Sequence, residues 1–275
     1  MANKEGGILH PVVTLTTDMG QRDYYVAQLK GMVLSALSDV QIIDITHEIK
    51  SFDIVEGAFI FKNCWKYFPE KTIHVLYIND LDVEDLKIIA VQYQDHYFIG
   101  PDNGIFSLIF EEDAPLKIYH LKTKNGSFNS FKIAISKAIK HIAAGTAFSK
   151  LGRKVKMPVK RITLQPVTGL NQINGTVIHI DKYGNAIVNI THSLFKKIGK
   201  QRPFELSFKG HKSMTRLSNN YCQVATGETV CFFNEQGFLE VAVNKGNAAT
   251  LLSIEKEDNV HIMFFDHSAL EKNKK

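Results

Sequence analysis

An α/β domain followed by a smaller antiparallel β domain is the architecture this sequence predicts. Three observations carry it. The first half alternates apolar, β-branched runs with stretches at helical spacing. The second half holds only short runs at strand spacing, cut by glycine and asparagine turns. Between them lies a basic, proline-containing stretch at residues 151–168. We therefore expect a domain over residues 1–160 and a second over residues 161–275.

The elements follow in order. PVVTLTTD (residues 11–18) starts apolar and ends polar, as a buried strand does when its C-terminal end carries a loop. DYYVAQLKGMVLSAL (23–37) reads as a helix with Asp23 placed to cap it. VQIIDIT (40–46) is a second strand, and DIVEGAFIFKNCWKYF (53–68) a second helix capped by Asp53. TIHVLYIN (72–79) and KIIAVQY (87–93) are further strands, and a third helix covers residues 133–144. The strand–helix–strand order implies a mainly parallel sheet with helices on both faces. Ligands of such sheets bind beyond the C-terminal strand ends. That directs attention to the loops at 18–23, 47–53 and 79–86. Beyond residue 172, GTVIHIDKYGNAIVNI, PFELSFKG, ETVCFFNEQGFLEVAVNKGNAATLL and VHIMFFD read as a small antiparallel barrel or sandwich.

Bulk properties exclude several function classes. Hydrophobic residues make up 44% and charged residues 22%, so the chain folds rather than staying disordered. No apolar run approaches the ~18 residues of a membrane span, and MANKEGGILHP is no signal segment, so a cytoplasmic protein is expected. Cys64, Cys222 and Cys231 show no CxxC spacing, which fits reduced thiols and predicts no metal site. The net charge of +5 is scattered lysine. LGRKVKMPVKR (151–161) reads as a solvated linker, and no nucleic-acid partner is expected.

Seven segments carry a family resemblance: TTDMGQRDYYVAQLKGMVLS, IIDITHEIKSFDIVEGAFIF, YFPEKTIHV, GPDNGIFSL, HIAAG, IDKYGNAIVNI and GFLEVAVNKGNAA. In this order they resemble the S-adenosylmethionine (SAM) hydroxide adenosyltransferases, the family that includes the SAM-dependent fluorinase and chlorinase. The resemblance implies an N-terminal α/β domain, a C-terminal β-barrel, no cofactor, and SAM or adenosine bound between neighbouring subunits of a homotrimer. It also implies site residues. Asp18 matches the aspartate that grips the ribose hydroxyls, a task for an acceptor of two hydrogen bonds. Asp23 falls near the amino-acid end of SAM, and Phe52 at an aromatic wall against the ribose, where a ring face also suits a sulfonium. Asp181 and Asn185 of DKYGN match the residues for the methionine ammonium and the adenine edge. Tyr221 lies near the aromatic that stacks on adenine. Asn234 and Glu235 stand where Asn-Ser contacts the methionine carboxylate, and Glu235 would repel it. Asn244 and Ala248 belong to the NKGNAA loop that meets adenine.

The nucleophile positions depart from the family. Its hydrolases carry an aspartate, an arginine and a histidine that orient and activate water. An ungapped match of YINDLDVEDLKIIAV puts Asn79 at the aspartate and Leu86 or Lys87 at the arginine. In SFNSFKIAISKAIKHIAAG, Asn129 or Ser130 replaces the histidine, and Phe128-Asn129-Ser130 resembles the halogenating relatives' Phe-Tyr-Ser. An asparagine can hold water but cannot take its proton. Asp80, Asp82, Glu84, Asp85 and Lys87 are candidates for a substitute base. Two readings follow, a hydrolase of weak or altered activity and a non-catalytic binder of adenosine or SAM.

Overall fold

A computed structural model describes residues 10–78, 87–123, 128–208, 210 and 213–266. The chain divides into two compact units, residues 1–163 and 164–275. In the first, β1 (Val12–Thr17), α1 (Tyr25–Ala36), β2 (Gln41–Thr46), α2 (Ile54–Lys62), β3 (Ile73–Tyr77), β4 (Ile88–Tyr93), β5 (His96–Pro101), α3 (Ile105–Ile109), β6 (Lys117–Leu121), α4 (Phe128–Ala143) and β7 (Gly152–Val155) follow one another. They form one mixed sheet of order β2-β1-β3-β5-β4-β6-β7. β2, β1, β3 and β5 pair in parallel, and β4, β6 and β7 add antiparallel, so five of the seven strands share one direction.

Strand alternation explains the two layers. Val13, Leu15, Ile73, Val75 and Tyr77 pack under α1 and α4, whereas Leu76, Ile78, Ile89, Val91 and Phe98 pack under α2 and α3. Helices therefore cover both faces, as the pattern predicted. The capping expectations divide. Asp53 caps α2, its carboxylate accepting the Glu56 N–H at 2.9 Å. Asp23 does not cap α1: Tyr24 takes that position, with no side-chain bond to the helix. The third helix starts at Phe128, five residues before its predicted start.

Residues 151–161 are not a solvated linker. Gly152–Val155 forms β7, the edge strand beside β6. The following segment is strapped to the loops at α3. Val159 N–H donates to Asp102 Oδ1 at 2.8 Å, and Arg161 donates from its backbone to Ser107 Oγ at 2.8 Å and from Nε to the Asn103 carbonyl at 3.2 Å.

The second unit contains β8 (Val167–Thr168), β9 (Gln172–Ile180), β10 (Ala186–Thr191), α5 (His192–Gly199), β11 (Phe204–Phe208), β12 (Thr229–Phe233), β13 (Phe238–Val243), α6 (Ala248–Leu251) and β14 (Asn259–Phe264). Its antiparallel sheet runs β11-β14-β9-β10-β13-β12, with β8 beside β9. The sheet curls around a core that includes Ile173, Val188, Leu206, Val241, Ile262 and Phe264. The end strands β11 and β12 do not pair among the described residues, so this is a half-barrel rather than the closed barrel that the resemblance implied.

Candidate functional site

Two clusters collect most of the expected site residues, one in each unit. The first lies at the C-terminal edge of the N-terminal sheet. β1 and β3 are parallel neighbours with Thr17 opposite Tyr77, so their ends deliver Asp18 and Tyr77 to one place. Asp18, Met19, Tyr25, Ser51, Phe52, Tyr77 and Phe128 line a pocket of about 320 Å³. Its walls are aromatic: the Phe128 ring lies 5.2 Å from Tyr77 and 5.9 Å from Tyr25. Burial pushes the Tyr77 hydroxyl up to about 12, and the negative charge of Asp18 adds to that.

The Asp18 carboxylate accepts the Phe52 N–H at 2.9 Å. Phe52 has φ +71° and is 53% exposed, so it is not a core residue. Below this contact, Thr17 Oγ1 meets His47 Nδ1 at 2.8 Å, and the Gly20 N–H donates to the His47 carbonyl at 2.7 Å. These bonds pin the loops after β1 and β2 to each other. Asp23 is exposed in the turn before α1, outside the pocket lining. Lys87 is exposed at the entry to β4, its carbonyl accepting the Asp102 N–H at 2.7 Å. Asn129 is exposed and Ser130 half-buried in the first turn of α4. Asn79, Leu86 and the acidic positions between them lie outside the described residues.

The second cluster hangs on the β9–β10 turn. Asp181 Oδ1 accepts the N–H groups of Tyr183 (2.9 Å) and Asn185 (2.8 Å), and Oδ2 accepts Asn185 Nδ2 at 3.0 Å. Asn185 Nδ2 also reaches the Tyr221 hydroxyl at 3.3 Å, which donates to Glu240 Oε1 at 2.5 Å. Glu240 Oε2 accepts Asn234 Nδ2 at 3.2 Å. Four expected residues thus join one network through Glu240, which sequence reasoning missed. Its signal was one carboxylate in the otherwise apolar FLEVAV run, on the face opposite core residues Leu239 and Val241. Burial raises the Glu240 carboxyl above its usual range, against the lowering effect of its bonds from Tyr221 and Asn234.

The NKGNAA loop docks on this turn. The Ala249 N–H donates to the Gly184 carbonyl at 2.8 Å, and Asn247 caps α6 by accepting the Thr250 N–H at 2.8 Å. Gly184 has φ +83°, and a Cβ there would stand 2.2 Å from Asn247 Cγ, so only glycine fits. Ala248 is fully buried, and Asn244 donates from Nδ2 to the Val224 carbonyl at 2.8 Å. Glu235 is exposed and takes no part in the network. Among the described residues, no group of three or more His, Cys, Asp or Glu side chains could hold a metal ion, and no helix is long and apolar enough to cross a membrane.

Comparison with known proteins matches both units to one family. Residues 13–152 match the SAM hydroxide adenosyltransferase N-terminal domain, and residues 175–261 match its C-terminal domain. The chain is 29% identical to the (R)-S-adenosyl-L-methionine hydrolase of Methanocaldococcus jannaschii, covering 92% of this chain and 96% of that protein. It is 22% identical to a fluorinase of Actinopolyspora mzabensis, covering 92% and 97%. A crystal structure of a conserved Thermotoga maritima protein superposes with a TM-score of 0.79 at 26% identity, covering 92% of this chain and 99% of that one. With both of the family's domains matched in order over most of its length, the chain belongs to the SAM hydroxide adenosyltransferase family.

Proposed function

We propose that the protein binds SAM or adenosine and transfers the adenosyl group to water, giving adenosine and L-methionine, with weak or altered activity. The observation that carries this reading is the aromatic pocket around Asp18 at the sheet edge. A carboxylate flanked by ring faces suits a ribose diol with a hydrophobic base or a sulfonium beside it. Asp18 grips the ribose hydroxyls, Phe52 and Phe128 wall the sugar, and Asp23 lies toward the amino-acid end. Asn185, Tyr221, Asn244 and Ala248 serve the adenine, while Asp181, Asn234 and Glu235 stand toward the methionine. These two groups meet as composite sites between neighbouring subunits of a homotrimer, in the cytoplasm.

Displacement at the ribose 5′ carbon of SAM releases a neutral thioether, so the leaving group needs no acid. The nucleophile needs placing and deprotonating. Asn79, Lys87, Asn129 and Ser130 stand where the family's aspartate, arginine and histidine act. The exposed Lys87 and Asn129 favour a second reading, a non-catalytic holder of adenosine or SAM. Calorimetry with adenosine tests what the two readings share. Binding at sub-millimolar level is expected, about −4 kcal/mol or better. Asp18→Ala should weaken it by about 1.5–3 kcal/mol, the loss of a charged acceptor. Unchanged affinity in that variant would sink the ribose assignment.

A further inference from the structure

We infer that Asp181 and Glu240, at the two ends of one hydrogen-bond chain, fix the Asn185 amide so that it offers a ligand only its carbonyl oxygen. The site then selects a ligand that donates a proton there, a 6-aminopurine rather than a 6-oxopurine, and Glu240 and Tyr221 are positioning residues for that choice. This rests on the adenosine-binding function proposed above.

Each step fixes the next. Asn234 Oδ1 accepts the Phe238 N–H at 3.0 Å, so the group it turns to Glu240 is its NH₂. Glu240 receives that donor on Oε2 and the Tyr221 hydroxyl on Oε1. A phenol has one proton. With it spent on Glu240, the Tyr221 oxygen faces Asn185 as an acceptor and takes one Nδ2 hydrogen at 3.3 Å. From the other end, Asp181 Oδ2 takes the second at 3.0 Å. Both hydrogens of the Asn185 amide are thereby used, and Oδ1 has no hydrogen-bond partner among the described residues. Asn185 and Glu240 are each only 4% exposed, so water competes poorly for their ends of these bonds, although Tyr221 between them is 38% exposed. An apolar residue at position 240 would be cheaper to bury than a carboxylate. The carboxylate is the group that obliges Tyr221 to accept from Asn185.

A ligand carbonyl set against Asn185 Oδ1 would leave two acceptors facing each other at a residue only 4% exposed. Sites built on such directional bonds discriminate strongly against the analogue that cannot match them. The test is calorimetry with adenosine and inosine on the full-length protein, with thermal melts to show that each variant is folded. The wild type should prefer adenosine by about ten-fold or more. Tyr221→Phe frees one Asn185 N–H and should narrow that ratio by at least about three-fold. The double variant Asp181→Asn with Glu240→Gln removes the fixed polarity at both ends, lets the amide turn over, and should bring the ratio to about one or invert it. A merely structural role would lower both affinities together and leave the ratio alone. A folded Tyr221→Phe or double variant that keeps the wild-type ratio overturns the inference, and Tyr221→Phe decides alone if the double variant does not fold. Equal binding of the two nucleosides by the wild type overturns it too, but leaves the adenosine reading standing. No binding of either overturns both.

Discussion

The Asp18 carboxylate holds the backbone N–H of Phe52, 34 positions away, at 2.9 Å, and Phe52 sits there at φ +71° with half its surface exposed. A left-handed phenylalanine costs about 1–3 kcal/mol. Its exposure means that little burial repays this. Phe52→Gly should therefore leave the unfolding midpoint unchanged or slightly higher, while adenosine affinity falls by about ten-fold, roughly the contribution of an aromatic wall. A drop in stability of about 3 kcal/mol, as for a core phenylalanine, would show the ring to be structural.

Phe52 also marks a limit of sequence reading. The resemblance sets it at an aromatic wall, but its side chain alone would equally suit a core, and only the backbone angle and exposure exclude that. The layers and first strands of the N-terminal unit were legible because apolar periodicity reports burial directly. β5 to β7 were not. The β4–β5 hairpin turns through Gln94 and Asp95, both at positive φ, without the Asn-Gly or Asp-Gly pair that usually signals such a turn. β7 is an edge strand, half-exposed and rich in lysine and arginine, and so reads as a linker. Asp181, Asn185, Tyr221 and Asn234 were legible as motif positions. Glu240 was not, because its role depends on a register that sets it beside Phe232 and Ile187 on neighbouring strands.

Acid should destabilise the N-terminal unit through a buried histidine pair. Thr14 Oγ1 meets His74 Nδ1 at 2.7 Å, and His74 Nε2 meets His96 Nδ1 at 3.1 Å, among Phe61, Trp65 and Phe98. Burial, aided by the neighbouring His96, lowers His74 to about 3, and burial also lowers His96. His74 stays neutral in the fold down to about 3, while the unfolded chain takes up a proton there below about 6.5, and His96 adds to the effect in the same direction. The His74 stabilisation is thus present above pH 6.5 and is lost as pH falls toward 3, by up to about 1.4 kcal/mol per pH unit. Urea titrations from pH 7 to 4 should show the loss, and His74→Gln should flatten it. An equally steep slope in that variant would place the acid sensitivity elsewhere.

The candidate ligand residues divide between the two units, with Asp18, Phe52 and Phe128 in one and Asp181, Asn185 and Tyr221 in the other. Composite sites between subunits require an assembled trimer. Light scattering at micromolar concentration should give three times the chain mass of 31.0 kDa. A monomer mass together with intact adenosine binding would rule out sites shared between copies.

SAM hydrolysis should be absent or far slower than in relatives that keep the aspartate, arginine and histidine. On the match that the resemblance implies, asparagine at position 79 and leucine or lysine at position 86 or 87 replace a carboxylate and a guanidinium, and position 129 or 130 offers an amide or a hydroxyl. An amide or a hydroxyl cannot take up a proton near neutral pH, so water would attack largely unactivated. Loss of a general base typically costs about 10²–10⁴ in rate. Fixing water in line with the 5′ carbon still removes part of the entropic barrier, so a trace rate is compatible with this account. The measurement is adenosine release from SAM, followed by chromatography, for the wild type beside Asn79→Asp with Lys87→Arg. Turnover of the wild type at about 1 s⁻¹ or faster, the range of working enzymes, would show that another group activates the water. The acidic positions 80–85 would then be the first to neutralise. An inert wild type whose double variant gains activity would separate the two functions cleanly: the adenosyl site retained, the nucleophile machinery lost.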